Sequence, residues 1–431
     1  MAPHKIFFIV LLHLIINLLV DNIVKGIDVK PQKEIYLPNY NFYHNISSLE
    51  NKINEIVQRN TNYMRIDTNY RSRLGRSQLV IHITNFTGST STQLFKNTMT
   101  PKLKVLLSFG EHAREFLPVE SMLFFLSNLT AGLSSVPGSY AEQFTRSILS
   151  KVDLFIIGMA NPDGRTLLEQ KSNYCWRGTS TGVDLDRNFD WEFGGKGSSS
   201  DPYDEEYRGE QPFSEPEGKV FRELTLKYTF DAFVSFHSGI NQIYLPYADT
   251  KSKLEKRRPY NVEDMLDLAS ELSHATKRGY TYGHSYALNH YTADGTIFDF
   301  MSGSRMIPFS FAIELWPWKQ PPRGKSCFNL FNPRSEQLET IVQEMHPLYV
   351  KFFQYLIDWK LSQGIVKMKS AVLEEAPSLT FGYVLLGVVI LLTAIMAFHG
   401  RVPFCQRFQP RRRIVSLKSL SSTFSMSFMK S

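Results

Sequence analysis

Three acidic and imidazole side chains are spaced as metal ligands would be. His112 and Glu115 stand three residues apart in Gly110-Glu111-His112-Ala113-Arg114-Glu115, and His237 follows 125 residues after His112 in His237-Ser238-Gly239. Two imidazoles and a carboxylate commonly hold zinc and leave its fourth position to water. The metal lowers that water's pKa towards ~7, so a nearby carboxylate can take its proton. Glu314 is the natural candidate for that base. In isolation, His-x-x-Glu is equally the pattern of a solvated surface pair, and a single His after a strand is commonly structural.

These residues need elements to bring them together. Residues 78–84 alternate as a strand, and 102–109, 151–159, 231–236 and 307–315 are apolar runs of strand length. Helices are expected over 47–59 with Ser47 and Ser48 as caps, over 118–131, from a Ser214–Glu217 capping box to about Lys227, over 261–278 and over 335–362. Asn161-Pro162-Asp163-Gly164 reads as a turn, and 192–212 as a Gly/Ser-rich acidic loop. Apolar strands alternating with helices predict an α/β fold with a mixed, mostly buried central sheet flanked by helices. Ligands bind beyond the carboxyl ends of such strands. His112, His237 and Glu314 each follow one of these strand ends.

Beyond these residues, GEHARE, NPDG, CWRGT, GVDLDRNF, SEPE, FHSG, YTADGTIFDF and FAIEL occur in this order. Over about residues 40–360 the chain resembles the funnelin (M14) zinc metallocarboxypeptidases, the family of carboxypeptidases A and B. With DPYDEEY before SEPE and CFNLFNP near the end, it is most similar to plant and protist members. The resemblance implies a one-zinc enzyme that hydrolyses the C-terminal bond of peptides or proteins. It makes His112, Glu115 and His237 the zinc ligands and Glu314 the base. Asp184 would orient the first histidine, and Arg177 would stabilise the oxyanion. Arg187 would bind the substrate carboxylate, with Arg114 in support. Tyr291 would close over substrate, and Phe298 would floor an apolar specificity pocket. Asp186 stands where the family usually has Asn. An ionised Asp cannot donate to a carboxylate, so it should pair with Arg187, weaken binding or shift preference to a modified terminus. The alternative is a weak or inactive zinc-binding member acting as a membrane receptor.

The ends suggest a location. Residues 1–26 have the layout of a signal peptide, with an uncleaved anchor as the alternative. Residues 380–399 contain no Asp, Glu, Lys or Arg and have the length of a transmembrane helix. A basic tail, 400–431, follows, with Cys405 acylated or idle, and 363–379 reads as a stalk. The positive-inside rule then predicts a single-pass type I protein with its catalytic domain, 40–362, extracellular or luminal. Asn45, Asn85 and Asn128 are glycosylation sequons, and Cys175 and Cys327 are free to form a disulfide there. The short interval between residues 26 and 40 predicts no large prodomain, and 363–379 leaves no room for a further β-domain. The net charge of +7 is misleading. Seven positive charges lie beyond Glu375 and a net one within 1–26, so 27–400 carries about −1 and is not a nucleic-acid binder.

Overall fold

The computed structural model describes residues 34, 36–87, 101–317, 327–375 and 379–399. The chain divides into two compact units, Met1–Gly364 and Ile365–Ser431. In the first, the described residues build an eight-stranded sheet: β1 Met64–Asp67, β2 Val80–Ile83, β3 Leu103–Phe109, β4 Val152–Ile157, β5 Ala232–Gly239, β6 Asn241–Leu245, β7 Thr281–His284 and β8 Phe309–Pro317. Their order is β1-β2-β4-β3-β5-β8-β6-β7. The centre, β4-β3-β5-β8, is parallel, while β1–β2, β2–β4 and β6–β8 are antiparallel.

The central strands are apolar on both faces because both faces are covered. In β3, Val105, Leu107 and Phe109 enter one core and Leu106 the other. Likewise Val234 and Phe236 of β5 oppose Phe233, and Leu154 and Ile156 of β4 oppose Phe155 and Ile157. Helices Ile46–Arg59, Leu117–Gly132, Val262–Ala275 and Leu338–Glu375 supply Ile53, Phe125, Leu268 and Phe353 to the first core. Leu185, Phe189, Phe221 and Met301 fill the second. This mixed sheet between helical layers is the fold expected from the sequence.

Local corrections follow from particular side chains. Asn45, not Ser47 or Ser48, caps helix Ile46–Arg59, its Oδ1 accepting the Ser48 amide at 2.8 Å. Asn161 caps helix Pro162–Lys171, so the expected turn is the first turn of a helix. The Ser214–Glu217 capping box does not form. Ser214 Oγ accepts from Asn188 Nδ2 at 2.8 Å, and the helix entry carries no side-chain cap. Strands β1, β6 and β7 and helix Tyr140–Lys151 were not among the expected elements.

Glu217 is instead fully buried, with Oε1 accepting the Arg73 amide at 3.2 Å and Oε2 without a partner. Burial, with Glu215 and Asp163 nearby, pushes its pKa up to about 7. A carboxyl raised on folding supports stability below its unfolded pKa and loses that support as pH rises through the folded value. Glu217→Gln is therefore expected to remove a loss of ~3 kcal/mol between pH 4 and pH 8. Urea melts of both proteins across that range check it; parallel stability curves would contradict it.

Cys175 and Cys327 are joined in a disulfide, with Cα atoms 5.0 Å apart. The sequon side chains Asn45, Asn85 and Asn128 are half-buried; Asn128 Nδ2 donates to Phe124 O within its helix. In the second unit, residues 379–399 form a helix, Leu379–His399, over the expected membrane segment. Among the described residues, no helix is long and apolar enough to cross a membrane, so the structure gives that expectation no support. The expected signal peptide, basic tail and Cys405 lie outside the described residues. Helix Leu338–Glu375 runs through most of the expected stalk.

Candidate metal centre and its cleft

The sheet register brings distant residues together. β3 and β5 are parallel neighbours, so the loop after Phe109 and the end of β5 lie side by side. β8 pairs with β5 so that His237 faces Glu314 across the ladder. Gly110 turns the chain out of β3 at φ +71°, and a Cβ there would meet Met159 Sδ at 2.7 Å. Fully buried Arg165 fixes the loop that follows. Its guanidinium donates to Ala113 O at 2.8 Å and Glu115 O at 3.2 Å, and lies 3.5 Å from the Phe116 ring centroid. Asn332 grips the same loop, accepting from the Phe116 and Leu117 amides and donating to Arg114 O.

His112, Glu115 and His237 are buried, and their ligand atoms all lie within 4.8 Å of one another. The two Nδ1 atoms face each other at 3.1 Å. Glu115 lies against both, 2.8 Å from His112 Nδ1 and 3.2 Å from His237 Nδ1. Each ring is held from behind at Nε2. His112 Nε2 is 3.1 Å from Asp184 Oδ1, and His237 Nε2 is 3.1 Å from Glu111 Oε2 and 2.5 Å from Ser235 Oγ. An imidazole that donates Nε2–H to a carboxylate keeps a lone pair on Nδ1. Two such lone pairs and a carboxylate converge on one focus. This donor set fits zinc.

Asp184 was expected in this role; Glu111 and Ser235 were not. Ser235 Oγ donates to Glu111 Oε2 at 2.7 Å, making an acid–hydroxyl pair under His237 that mirrors Asp184 under His112. Burial disfavours ionised Glu111, but the His237 contact outweighs it and holds the carboxyl low. Burial likewise opposes ionised Asp184, and Arg177 and His112 outweigh it. In both histidines, burial works against the cation while the surrounding carboxylates raise the pKa. Asp184→Asn should weaken zinc affinity by ~10–100-fold. Competition with a chromogenic chelator measures this, and unchanged affinity would remove Asp184 from the account.

A cleft of about 330 Å³ opens beside this focus, lined among others by Arg114, Arg177, Arg187, Tyr291 and Glu314. Glu314 Oε2 is shielded from solvent and has no hydrogen-bond partner. Burial, then the Glu115 charge, pushes its pKa up to about 7. Arg177 donates from Nε to Asp184 Oδ2 at 2.9 Å and from Nη1 to His112 Nδ1 at 3.2 Å. Arg114 stacks 4.2 Å from the Phe331 centroid and donates to Cys175 O and Glu205. Tyr291 is 59% exposed. Two residues expected to contact substrate do not line the cleft. Phe298 is buried in the second core. Asp186 is buried, its Oδ1 accepting the Ile297 amide at 2.9 Å and its Oδ2 3.8 Å from Arg187 Nη1; burial raises its pKa.

Comparison with known proteins agrees with this geometry. The family model for zinc carboxypeptidase matches residues 49–347. Carboxypeptidase A2 of Rattus norvegicus is 27% identical over 293 residues, 64% of each chain. Carboxypeptidase A1 of Mus musculus is 31% identical over 236 residues, 51% of this chain and 52% of the relative. The chain thus spans less than two thirds of the length of either relative. Among solved structures, carboxypeptidase A from Helicoverpa armigera shares the fold, with a TM-score of 0.61 at 20% identity, over 79% of this chain and 80% of that one. The chain belongs to the zinc carboxypeptidase family.

Proposed function

We propose that this protein is a zinc-dependent metallocarboxypeptidase that releases the C-terminal residue of peptides or proteins. The observation that carries this reading is the convergence of His112 Nδ1, His237 Nδ1 and the Glu115 carboxylate beside a cleft that also holds Glu314 and three arginines. Bound by those three ligands, zinc would acidify a water and polarise the scissile carbonyl. Glu314 would take a proton from the attacking water as that water's oxygen bonds to the carbonyl carbon. The C–N bond then breaks, and Glu314 returns the proton to the leaving amine. Asp184 and Glu111 keep the two imidazoles in one tautomer throughout. Arg177 stabilises the developing oxyanion, and Arg187 receives the substrate's terminal carboxylate, with Arg114 in support. Tyr291, exposed at the cleft, closes over the bound chain. Ile240, Tyr244 and Phe331 also line the cleft and favour apolar or aromatic C-terminal residues.

The direct test compares peptides of one sequence ending in a free acid or an amide. The zinc-loaded protein should release the last residue from the acid alone. Equal cleavage of both, or internal cleavage, would refute an exopeptidase that reads the carboxylate. Asp186 refines the expectation. Its negative charge near Arg187 competes with the substrate's anion, so Asp186→Asn should lower KM for free-acid peptides by about three- to tenfold. An unchanged kcat/KM would show that Asp186 is electrostatically silent.

We further propose an extracellular or luminal catalytic unit, glycosylated at one or more sequons and anchored through 380–399. The disulfide supports an oxidising compartment, and the uncharged run before the Arg cluster supports the anchor. Alkaline carbonate extraction tests the anchor; release of the full chain into the supernatant would exclude it.

A further inference from the structure

We propose that Glu206 is an internal carboxylate that occupies the substrate-carboxylate position on Arg187 and thereby sets the affinity for peptide C-termini. This rests on the reading of Arg187 given above. Arg187 is 4% exposed, and two of its three nitrogens already donate to backbone carbonyls. Nε donates to Gly197 O at 3.0 Å and Nη1 to Asp186 O at 3.0 Å. Nη2 is the arm left for an anion, and Glu206 Oε1 accepts from it at 3.3 Å. Glu206 itself lines the cleft. Its neighbour Glu205 does the same to the supporting arginine, with Oε2 accepting from Arg114 Nη1 at 3.0 Å. Two consecutive acids thus cover two arginines that a peptide's carboxyl end would need.

The backbone delivers them there. Ser199 and Tyr207 form a bridge, with the Ser199 amide donating to Glu206 O at 2.9 Å and the Arg208 amide to Ser199 O at 3.0 Å. The Glu206 amide donates to Asp204 Oδ1 at 2.9 Å, and the Asp184 amide ties Tyr207 O to the metal-centre loop at 2.7 Å. The side chains are not locked: Glu205 is 62% and Glu206 46% exposed. Ion pairs this exposed shift an equilibrium by no more than about fivefold. Glu206 therefore acts as a brake that a substrate carboxylate displaces, not as a plug. An amidated C-terminus carries no charge, competes only weakly for Nη2 and is nearly indifferent to Glu206.

The test measures binding without turnover. In a zinc-loaded Glu314→Gln background, calorimetry compares an N-acylated dipeptide ending in phenylalanine with its C-terminal amide, with and without Glu206→Gln. The acid's Kd should fall two- to fivefold, the amide's should not move, and neither should the melting temperature. Glu210→Gln, on the same loop but outside the cleft lining, should change neither Kd. An acid Kd that is unchanged or larger would overturn the proposal, as would equal tightening of the amide. With Glu314 intact, KM for the acid should fall by the same factor at constant kcat. A protein that binds the acid in this pattern yet hydrolyses nothing would sink the enzymatic reading while leaving Glu206 as the brake.

Discussion

Glu314→Gln is expected to lower kcat by ~10³-fold while leaving the zinc content of the protein unchanged. Glu314 stands opposite His237 in the β5–β8 register, outside the group whose donor atoms converge. Its Oε2 is buried without a partner, which is costly for a carboxylate with no task. Amide for carboxylate preserves shape and removes the proton acceptor. The pH profile gives a second readout. Burial and the Glu115 charge push Glu314 up to about 7, and a cation at the focus would pull it lower. Activity needs the ionised form, so the acid limb of kcat/KM should fall below pH 7. That limb should be absent from the residual activity of Glu314→Gln. A variant that keeps more than a tenth of wild-type kcat would remove Glu314 as the base.

Arg177→Ala is expected to cost ~10²-fold in kcat, roughly 3 kcal/mol, with a smaller change in KM. It should also weaken the fold. Arg177 donates to buried Asp184 at 2.9 Å, and removing one member of a buried ion pair leaves the other uncompensated, typically at ~3 kcal/mol or more. The two effects separate experimentally. Arg177→Lys keeps a charge against Asp184 but lacks the planar fork that can serve Asp184 and a reacting oxygen together. It should recover much of the melting temperature and little of the rate. Full recovery of kcat in the lysine variant would mean that Arg177 acts only through charge on Asp184.

The parts of the fold legible in the sequence were those whose own residues carry the signal. β3, β4, β5 and β8 are unbroken apolar runs because both of their faces are buried, and that reads directly from residue type. β1 and β7 are short, more polar and at the sheet's two ends, so their state is decided by neighbours a sequence window does not contain. Capping boxes show the same limit. Ser139 and Glu142 have the Ser-x-x-Glu spacing, and Ser139 does cap its helix. Ser214 and Glu217 have it too, yet Asn188 takes the hydroxyl and burial takes the carboxylate. Only the tertiary partner distinguishes them.

The candidate site divides along the same line. His112, Glu115, His237 and Glu314 stood out by residue type at strand ends, Asp184 through the family resemblance, and the structure brings all five together. Glu111 was overlooked although it is adjacent to His112, because its partner, Ser235, lies two residues before His237 on another strand. Arg165 and Asn332 act on backbone carbonyls and amides from a distance, which leaves no pairing pattern in the sequence. Phe298, expected through the resemblance as a pocket floor, is buried in the second core and is absent from the cleft lining.

Zinc titration of chelator-stripped protein, read by release of the C-terminal residue from a free-acid peptide, tests the central claim most directly. Activity should be absent without metal and rise linearly to a plateau at one zinc per chain. His237→Ala should show no such plateau at the same concentrations. Release of the C-terminal residue that does not depend on zinc, or a correctly folded protein that binds one zinc and releases nothing, would contradict the account.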